Sequence, residues 1–385
     1  MATYDYVGSI AQKYILFVTT VVLQTTPGAN FYAVEVFIDG ADSSANFAAA
    51  PAVDTVTTIT AQTYKTLLTG SMLAWMTGFY SIPANIASLV YFVTFTNGSF
   101  AGSGSTSVDL GSQYAVFNQY GYWKLAYSST YKQQANQQLA SLCAGDPLSQ
   151  FVFGSNDGSF LTGATGTEAN WFKSKSLDVP FIYHWNPAYN PALVQLGATL
   201  ATVNSTGTPV GNKTDFLAIG NGFGPSGSGS AGVVNLTPAQ YGYAQGSGIS
   251  FFTYVGDGSG NVAAEKWATM ISGTLIGATW LVSYIDTVAS QLTASYITAT
   301  AQSGFNNNDT YQGVLNILTT QLNLFGGIGR LMKANGVAGA DITAPPFNKL
   351  PPAAGGVITV PDAWSATYVD NLRQSTIYGT LYIKA

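Results

Sequence analysis

Val179-Pro-Phe-Ile-Tyr-His-Trp185 and, after a short turn, Pro191-Ala-Leu-Val-Gln-Leu-Gly-Ala-Thr-Leu-Ala-Thr-Val203 decide the fold of this chain. The first run is short and rich in aromatic and β-branched residues, as a buried strand is. The second is uncharged, of helix length and opened by a proline. Strand and helix then repeat outward. Ser129–Ala144 reads as a helix stopped by Gly145 and Pro147, Gln150–Phe153 as a strand, the residues near Thr167–Lys175 as a helix and Asp215–Ile219 as a strand. Strands alternating with helices of this length predict an α/β fold with parallel strand pairs.

Further from this centre, Ile15–Gln24 and Phe31–Ile38 are β-rich runs around a turn-rich linker. In the second, Val34, Val36 and Ile38 alternate with Glu35 and Asp39, which predicts a hairpin with one buried face. Tyr64, Leu67, Leu68, Met72, Trp75, Met76 and Phe79 form one helical stripe, followed by a strand at Ser88–Phe95. Beyond a Gly/Ser/Pro-rich loop at 220–232 come a strand at Ile249–Val255 and two helices. Ala278–Ala294 sets Leu281, Ile285, Val288 and Leu292 on one face. Asp309–Phe325 does the same with Tyr311, Val314, Leu315, Leu318, Leu322 and Phe325, with Asp309 as N-cap and Gly326-Gly327 as the stop. Ala344–Pro352 is extended, Val357–Val360 a short strand, and Thr376–Lys384 alternates Ile377, Leu381 and Ile383 with Tyr378, Thr380 and Tyr382. The resulting organisation is an N-terminal strand arm (1–40), an α/β domain (41–240), a second α/β domain (241–370) and a C-terminal strand arm (371–385).

Charge narrows the function. Of 385 residues only 8% are charged, against about 25% in an average protein, while 47% are hydrophobic. Such a chain folds, and a surface so poor in charge suits one covered by neighbours, since interface cores are depleted of charged residues. The net charge of −5, with Arg330 and Arg373 the only arginines, lacks the basic clusters that nucleic acid requires. Cys143 is the single cysteine, so no intrachain disulfide forms. The N-terminus reads without a signal peptide, and the Trp267–Ile285 stretch is too diluted by Ser, Thr and Gly for stable membrane insertion.

Catalysis has few side chains to work with. His184 is the sole histidine, so a Ser/His/Asp or Cys/His arrangement would have to be built around it; between Tyr183 and Trp185 at the end of an apolar strand it is expected to be packed, and one His and one Cys cannot supply a zinc site. Gly222-Phe-Gly224-Pro-Ser-Gly227 matches the dinucleotide glycine pattern, but Pro225 and the Ser/Gly run after it give no helix N-terminus to hold a pyrophosphate. Asp257-Gly-Ser-Gly-Asn offers one carboxylate where a calcium loop needs several. Glu35, Glu168 and Glu265 are the only glutamates, and none sits in a catalytic motif. The expectation is a non-enzymatic protein without cofactor or metal.

The strand Ile249-Ser-Phe-Phe-Thr-Tyr-Val255 leading to Gly256, then Glu265-Lys-Trp267, Trp280-Leu-Val-Ser-Tyr-Ile285 entering a helix, a second helix through Gln312–Phe325, Ala334-Asn-Gly336 after it, and Arg373 before the last strand occur in an order that resembles contractile phage tail sheath proteins. The early helix Tyr64–Phe79 followed by Pro83 and a strand is similar to a segment of the same family. The resemblance implies hexameric rings stacked helically around a tail tube in the virion tail, assembled in the host bacterial cytoplasm. Its partners would be further copies of the chain, the tail tube protein, and baseplate and tail terminator proteins. It also implies strand exchange between subunits through Thr376, Ile377, Tyr378, Leu381, Tyr382 and Ile383, and a tube-facing region carrying Arg330 and Lys333. Another virion structural protein, such as a tube or capsid subunit, stays open on composition alone, as does a secreted β-rich adhesin or hydrolase. Removal of Thr376–Ala385 is expected to leave a folded monomer that no longer polymerises; normal tubes from the truncated protein, seen by electron microscopy, would show that the segment is not donated.

Overall fold

The computed structural model describes residues 15–16, 30–81, 89–95, 110–118, 120–128, 133–164, 167–184, 190–206, 236–254, 262–265, 267, 269–299, 308–350, 358–359 and 363–368. Ten helices are named in chain order. They are α1 (Ser43–Asn46), α2 (Tyr64–Leu67), α3 (Gly70–Tyr80), α4 (Leu110–Phe117), α5 (Gln133–Ala144), α6 (Glu168–Ser174), α7 (Pro191–Thr206), α8 (Pro238–Ser247), α9 (Ile276–Ala299) and α10 (Asn308–Gly327). The strands of the main sheets are β2 (Asn30–Ile38), β3 (Val56–Ile59), β4 (Leu89–Thr94), β5 (Gly121–Tyr127), β6 (Gln150–Phe151), β7 (Phe153–Ser155), β8 (Phe181–Tyr183), β9 (Ile249–Tyr254) and β10 (Val262–Glu265); β1 is Ile15–Leu16.

One sheet runs β3-β4-β2-β5-β6 and the next β10-β9-β8-β7. β2 pairs in parallel with both β4 and β5, β5 with β6, β7 with β8 and β8 with β9; β3 and β10 close the two edges antiparallel. Only Val152 separates β6 from β7. Its N–H bonds to the Lys124 carbonyl, while the N–H of Phe153 turns to Pro180, so one extended segment, Gln150–Ser155, passes from one sheet to the other. β8 and β9 share a sheet, so pairing is continuous across residue 240. The expected α/β class and parallel pairs are present.

Helices cover both faces. On one, Val34, Val36, Ile38, Trp123 and Leu125 pack with α3, α7, α9 and α10 through Met72, Leu196, Trp280 and Leu318. On the other, Phe37, Val93 and Phe151 pack with α4, α5, α6 and α8 through Tyr114, Leu139, Phe172 and Ala244. The uncharged run that opened the sequence reading explains α7: every residue from Asn190 to Ala201 is buried, so the helix has no side left for a charged residue.

Several expectations are corrected. Ile15 and Leu16 pair in parallel with Ile358 and Thr359 (β13), not in a hairpin with β2. β2 is central and buried on both faces, so its alternation does not mark one wet side. The stripe at 64–79 is two helices, because Leu68 is extended and Gly70 has φ +53°, a left-handed conformation that favours glycine. Leu292 is 41% exposed, off the face expected to be buried. Gly326 and Gly327 lie within α10, and the helix ends later. β3, β5 and β10, and helices α4 and α8, were not expected at all. The strand at Asp215–Ile219, the loop at 220–232, the glycine motifs at 222–227 and 257–260, Arg373 and the terminal run Thr376–Lys384 lie outside the described residues.

The centre of the larger sheet carries a fully buried ion pair. Glu35 and Lys124 are register partners on β2 and β5, with Nζ 2.5 Å from Oε2 and both side chains without exposed surface. Gly121 N–H donates to the same carboxylate oxygen at 3.3 Å, and Lys124 Nζ also donates to the Asn118 carbonyl. Burial pushes the Glu35 carboxyl up, against the opposing pull of Lys124. Breaking such a pair from one side strands a buried charge, so Lys124→Met is expected to cost about 3–5 kcal/mol in urea unfolding, and Glu35→Met/Lys124→Met to recover most of it.

Candidate assembly surface

The groups capable of chemistry do gather, but in a form that disarms them. Asp146, at the end of α5, accepts from Tyr114 Oη (2.9 Å), Asn118 Nδ2 (3.1 Å), Ser149 Oγ (2.8 Å) and Leu148 N–H (2.9 Å). Asn118 ties this cluster to Lys124 and Glu35. Cys143 Sγ lies 3.7 Å from Tyr114 Oη, and burial pushes its thiol far above the ordinary range, so no thiolate is present at neutral pH. A cleft of about 540 Å³ borders Cys143 and Asp146, yet the carboxylate facing it is already occupied by four donors.

His184 is 3% exposed, with its ring against Phe252 at 5.3 Å, as a packed residue should be. Among the described residues no three His, Cys, Asp or Glu side chains converge to hold a metal, and no helix is long and apolar enough to cross a membrane.

The C-terminal third presents a different kind of surface. α9 packs against α10, and α10 turns Val314, Leu318, Leu322 and Phe325 inward. Its outer positions are Gln312, Asn316, Thr320, Asn323 and Leu324, and no charged residue occurs between Asp309 and Arg330. The helix closes with the N–H of Gly329 bonded to the Gly326 carbonyl and that of Arg330 to Phe325, a Schellman stop with Gly329 at φ +75°.

The chain leaves that stop into a hairpin. Gly336 N–H bonds to the Lys333 carbonyl and Lys333 N–H to Val337, a three-residue turn of the type I plus bulge kind, steadied by Asp341 Oδ2 accepting from Ala334 N–H at 3.0 Å. The tip is exposed, with Val337 56% accessible, and Leu324 and Ile328 lie exposed beside it. The base of the hairpin, β11 (Leu331–Met332), pairs with Thr367–Tyr368, and Asp341–Ile342 with Trp364–Ser365, so the chain folds back on this region twice before residue 368.

The two basic residues expected to face a tube are thus separated in role. Arg330, just before the hairpin, is 8% exposed, whereas Lys333, on the hairpin, is half-buried. The strand-exchange residues Thr376, Ile377, Tyr378, Leu381, Tyr382 and Ile383 lie outside the described residues. The parallel β1–β13 pair brings residues 15–16 beside residues 358–359, a two-stranded sheet among the described residues. Sequence reasoning missed the hairpin, although Asn335-Gly336 is a strong turn signal.

The fold has solved counterparts. No family model matches the sequence, and no curated protein matches it. A chain of the contracted-state sheath complex of an extracellular contractile injection system (PVC) superposes with a TM-score of 0.59 at 14% identity, over 99% of this chain and 98% of that one. A chain of the anti-feeding prophage (AFP) baseplate, 6-fold symmetrised, superposes at 0.55 and 13% identity, over 96% and 99%. The chain has a contractile-sheath-like α/β fold along its whole length.

One buried group titrates within reach. Glu168, at the start of α6, is fully buried, its Oε2 receives a long bond from Gln133 Nε2 (3.4 Å), and burial pushes its carboxyl up to about 8 against the opposing pull of its own backbone N–H. The folded chain holds this proton where the unfolded chain has lost it, so stability falls as pH rises from roughly 4.5 to about 8 and is flat above. Urea unfolding across that range should show the slope in the wild type and a flatter profile in Glu168→Gln; parallel profiles would contradict it.

Proposed function

We propose that this chain is the repeating subunit of a contractile sheath, which polymerises as stacked hexameric rings around a tube and contracts to drive the tube through a host envelope. The observation that carries the reading is the end-to-end superposition on a chain of a contracted sheath complex, with nearly all of both chains matched. Composition supports it independently, since a chain with 8% charged residues suits a surface covered by copies of itself.

In this reading the particle is a phage tail or a related injection machine, built in the bacterial host cytoplasm, and its further partners are tube, baseplate and terminator proteins. α10 turns its uncharged face and the 331–339 hairpin toward the tube. Lys333, half-buried on the hairpin, carries a charge on that surface, while Arg330 is buried. A lone exposed pair is worth only about 0–1 kcal/mol, so attachment comes from repetition of weak contacts around each ring. The chain ends supply strands to neighbours, since a sheet edge accepts a further strand through backbone hydrogen bonds and the β1–β13 sheet has two strands among the described residues.

Contraction in this account needs no nucleotide. A sheath assembled in a metastable extended lattice releases stored energy on triggering, and the subunit contributes interfaces instead of chemistry. Purified full-length protein is expected to sediment as polymers above a critical concentration and to form hollow cylinders in negative stain. A monomer at every concentration would contradict the proposal, and closed shells would favour a capsid subunit.

A further inference from the structure

In open α/β sheets the carboxyl ends of parallel strands all point to one side, and ligand crevices lie there. At the carboxyl ends of β5 and of the shared segment Gln150–Ser155, beside the starts of α5 and α7, the structure has a cavity of about 250 Å³. Its polar lining is built into the fold: Asn136, Ser155 and Asn190 are 8%, 7% and 6% exposed. Each anchored side chain is held by a bond of its own. Asn190 Oδ1 accepts from Leu193 N–H (3.1 Å), Asp157 Oδ1 from Ser159 N–H (2.8 Å), Ser155 Oγ from Asp157 N–H (3.0 Å), and Asn156 Nδ2 donates to the His184 carbonyl (2.8 Å). Gly154 makes the arrangement possible, because a Cβ there would stand 2.6 Å from Asn190 Oδ1 and 2.8 Å from Ala192 N.

Among the described residues these bonds fix the groups and leave the second carboxylate oxygen of Asp157, the amide N–H groups of Asn190 and the hydroxyl hydrogen of Ser155 for a guest. Trp75 supplies the apolar wall, itself fixed edge-to-face against Tyr127 at 4.8 Å. Among the described lining residues Asp157 is the only charged one. With no Lys or Arg among the described lining residues, nothing there favours an anion, and a single carboxylate is too few for a hard cation, which takes about six to eight oxygens.

The remaining class is a neutral molecule with an apolar face and several hydroxyls that both donate and accept. Pockets for drug-sized ligands run from about 300 Å³ upward, so the space suits one ring. We propose that this crevice binds a single neutral sugar ring, stacked on Trp75 and hydrogen-bonded by Asp157 and Asn190. The described lining residues all belong to one chain, and the proposal does not rest on the sheath reading.

Saturation-transfer NMR on the full-length protein tests it, with the methyl glycosides of glucose, galactose, mannose and N-acetylglucosamine as probes and inorganic phosphate as the anion control. At least one glycoside is expected to bind with millimolar Kd, without competition from phosphate. Ser128→Trp, which fills the crevice from its half-exposed rim, should abolish the signal with an unchanged thermal melt. Asp157→Asn, which keeps the turn cap but loses the charged acceptor, should weaken binding by about tenfold and stands as the variant of record if Ser128→Trp fails to fold. No transfer to any glycoside, displacement by phosphate, or binding untouched by both substitutions would overturn the assignment.

Discussion

Two strands at the middle of the larger sheet, β2 and β5, are buried on both faces, and the carboxylate of Glu35 and ammonium of Lys124 meet between them with no access to water. The pairing constrains the rest. A one-residue slip of either strand would turn that strand's charge to the opposite face, among the apolar residues packed there, and leave the other charge without its partner. Register held here places Gly121 and Asn118 on the ion pair, and through Asn118 orders Asp146 and the turn into β6. From β6 the chain crosses at Val152 into the second sheet, so both halves of the fold inherit the alignment of one buried pair.

The same scarcity of charge shapes interior and exterior differently. Inside, a few ionisable groups are satisfied in dense networks, as Asp146 is by four donors, or are left as a protonated acid, as burial leaves Glu168. Outside, long helical faces such as Gln312–Asn323 carry amides and hydroxyls only. Neutral polar surface desolvates at lower cost than charged surface, and its hydrogen bonds can be remade with a neighbour. That property suits a subunit whose surface exchanges one set of partners for another when a lattice contracts.

Periodicity made much of this legible. The alternation of strands and helices from Gln150 to Val203, the helical stripe of Asp309–Phe325 and the parallel class followed from spacing alone, because buried helices and strands show their periods when charges are few. What spacing could not show was long-range pairing. Ile15–Leu16 lies near β2 in sequence and pairs with residues 358–359, a choice made by tertiary structure. β5 escaped notice because Lys124 interrupts Gly-Tyr-Trp-Lys-Leu-Ala-Tyr, and a lysine inside a central strand makes sense only once Glu35 is seen opposite. Helix α8 was within reach, since Thr237-Pro-Ala-Gln240 is a capping box that the structure forms in full. Of the candidate surface, the helices were visible from sequence, but not that Arg330 is buried and Lys333 only half-buried, which tertiary packing decides.

A helical reconstruction by cryo-electron microscopy of the assembled full-length chain tests the central claim most directly. The account predicts a hollow six-fold array in which the Gln312–Asn323 face of α10 and the hairpin tip at 334–338 line the lumen, with backbone pairing between subunits at the chain ends. An array that turns this face outward to solvent, or one in which no strand crosses between subunits, would contradict it.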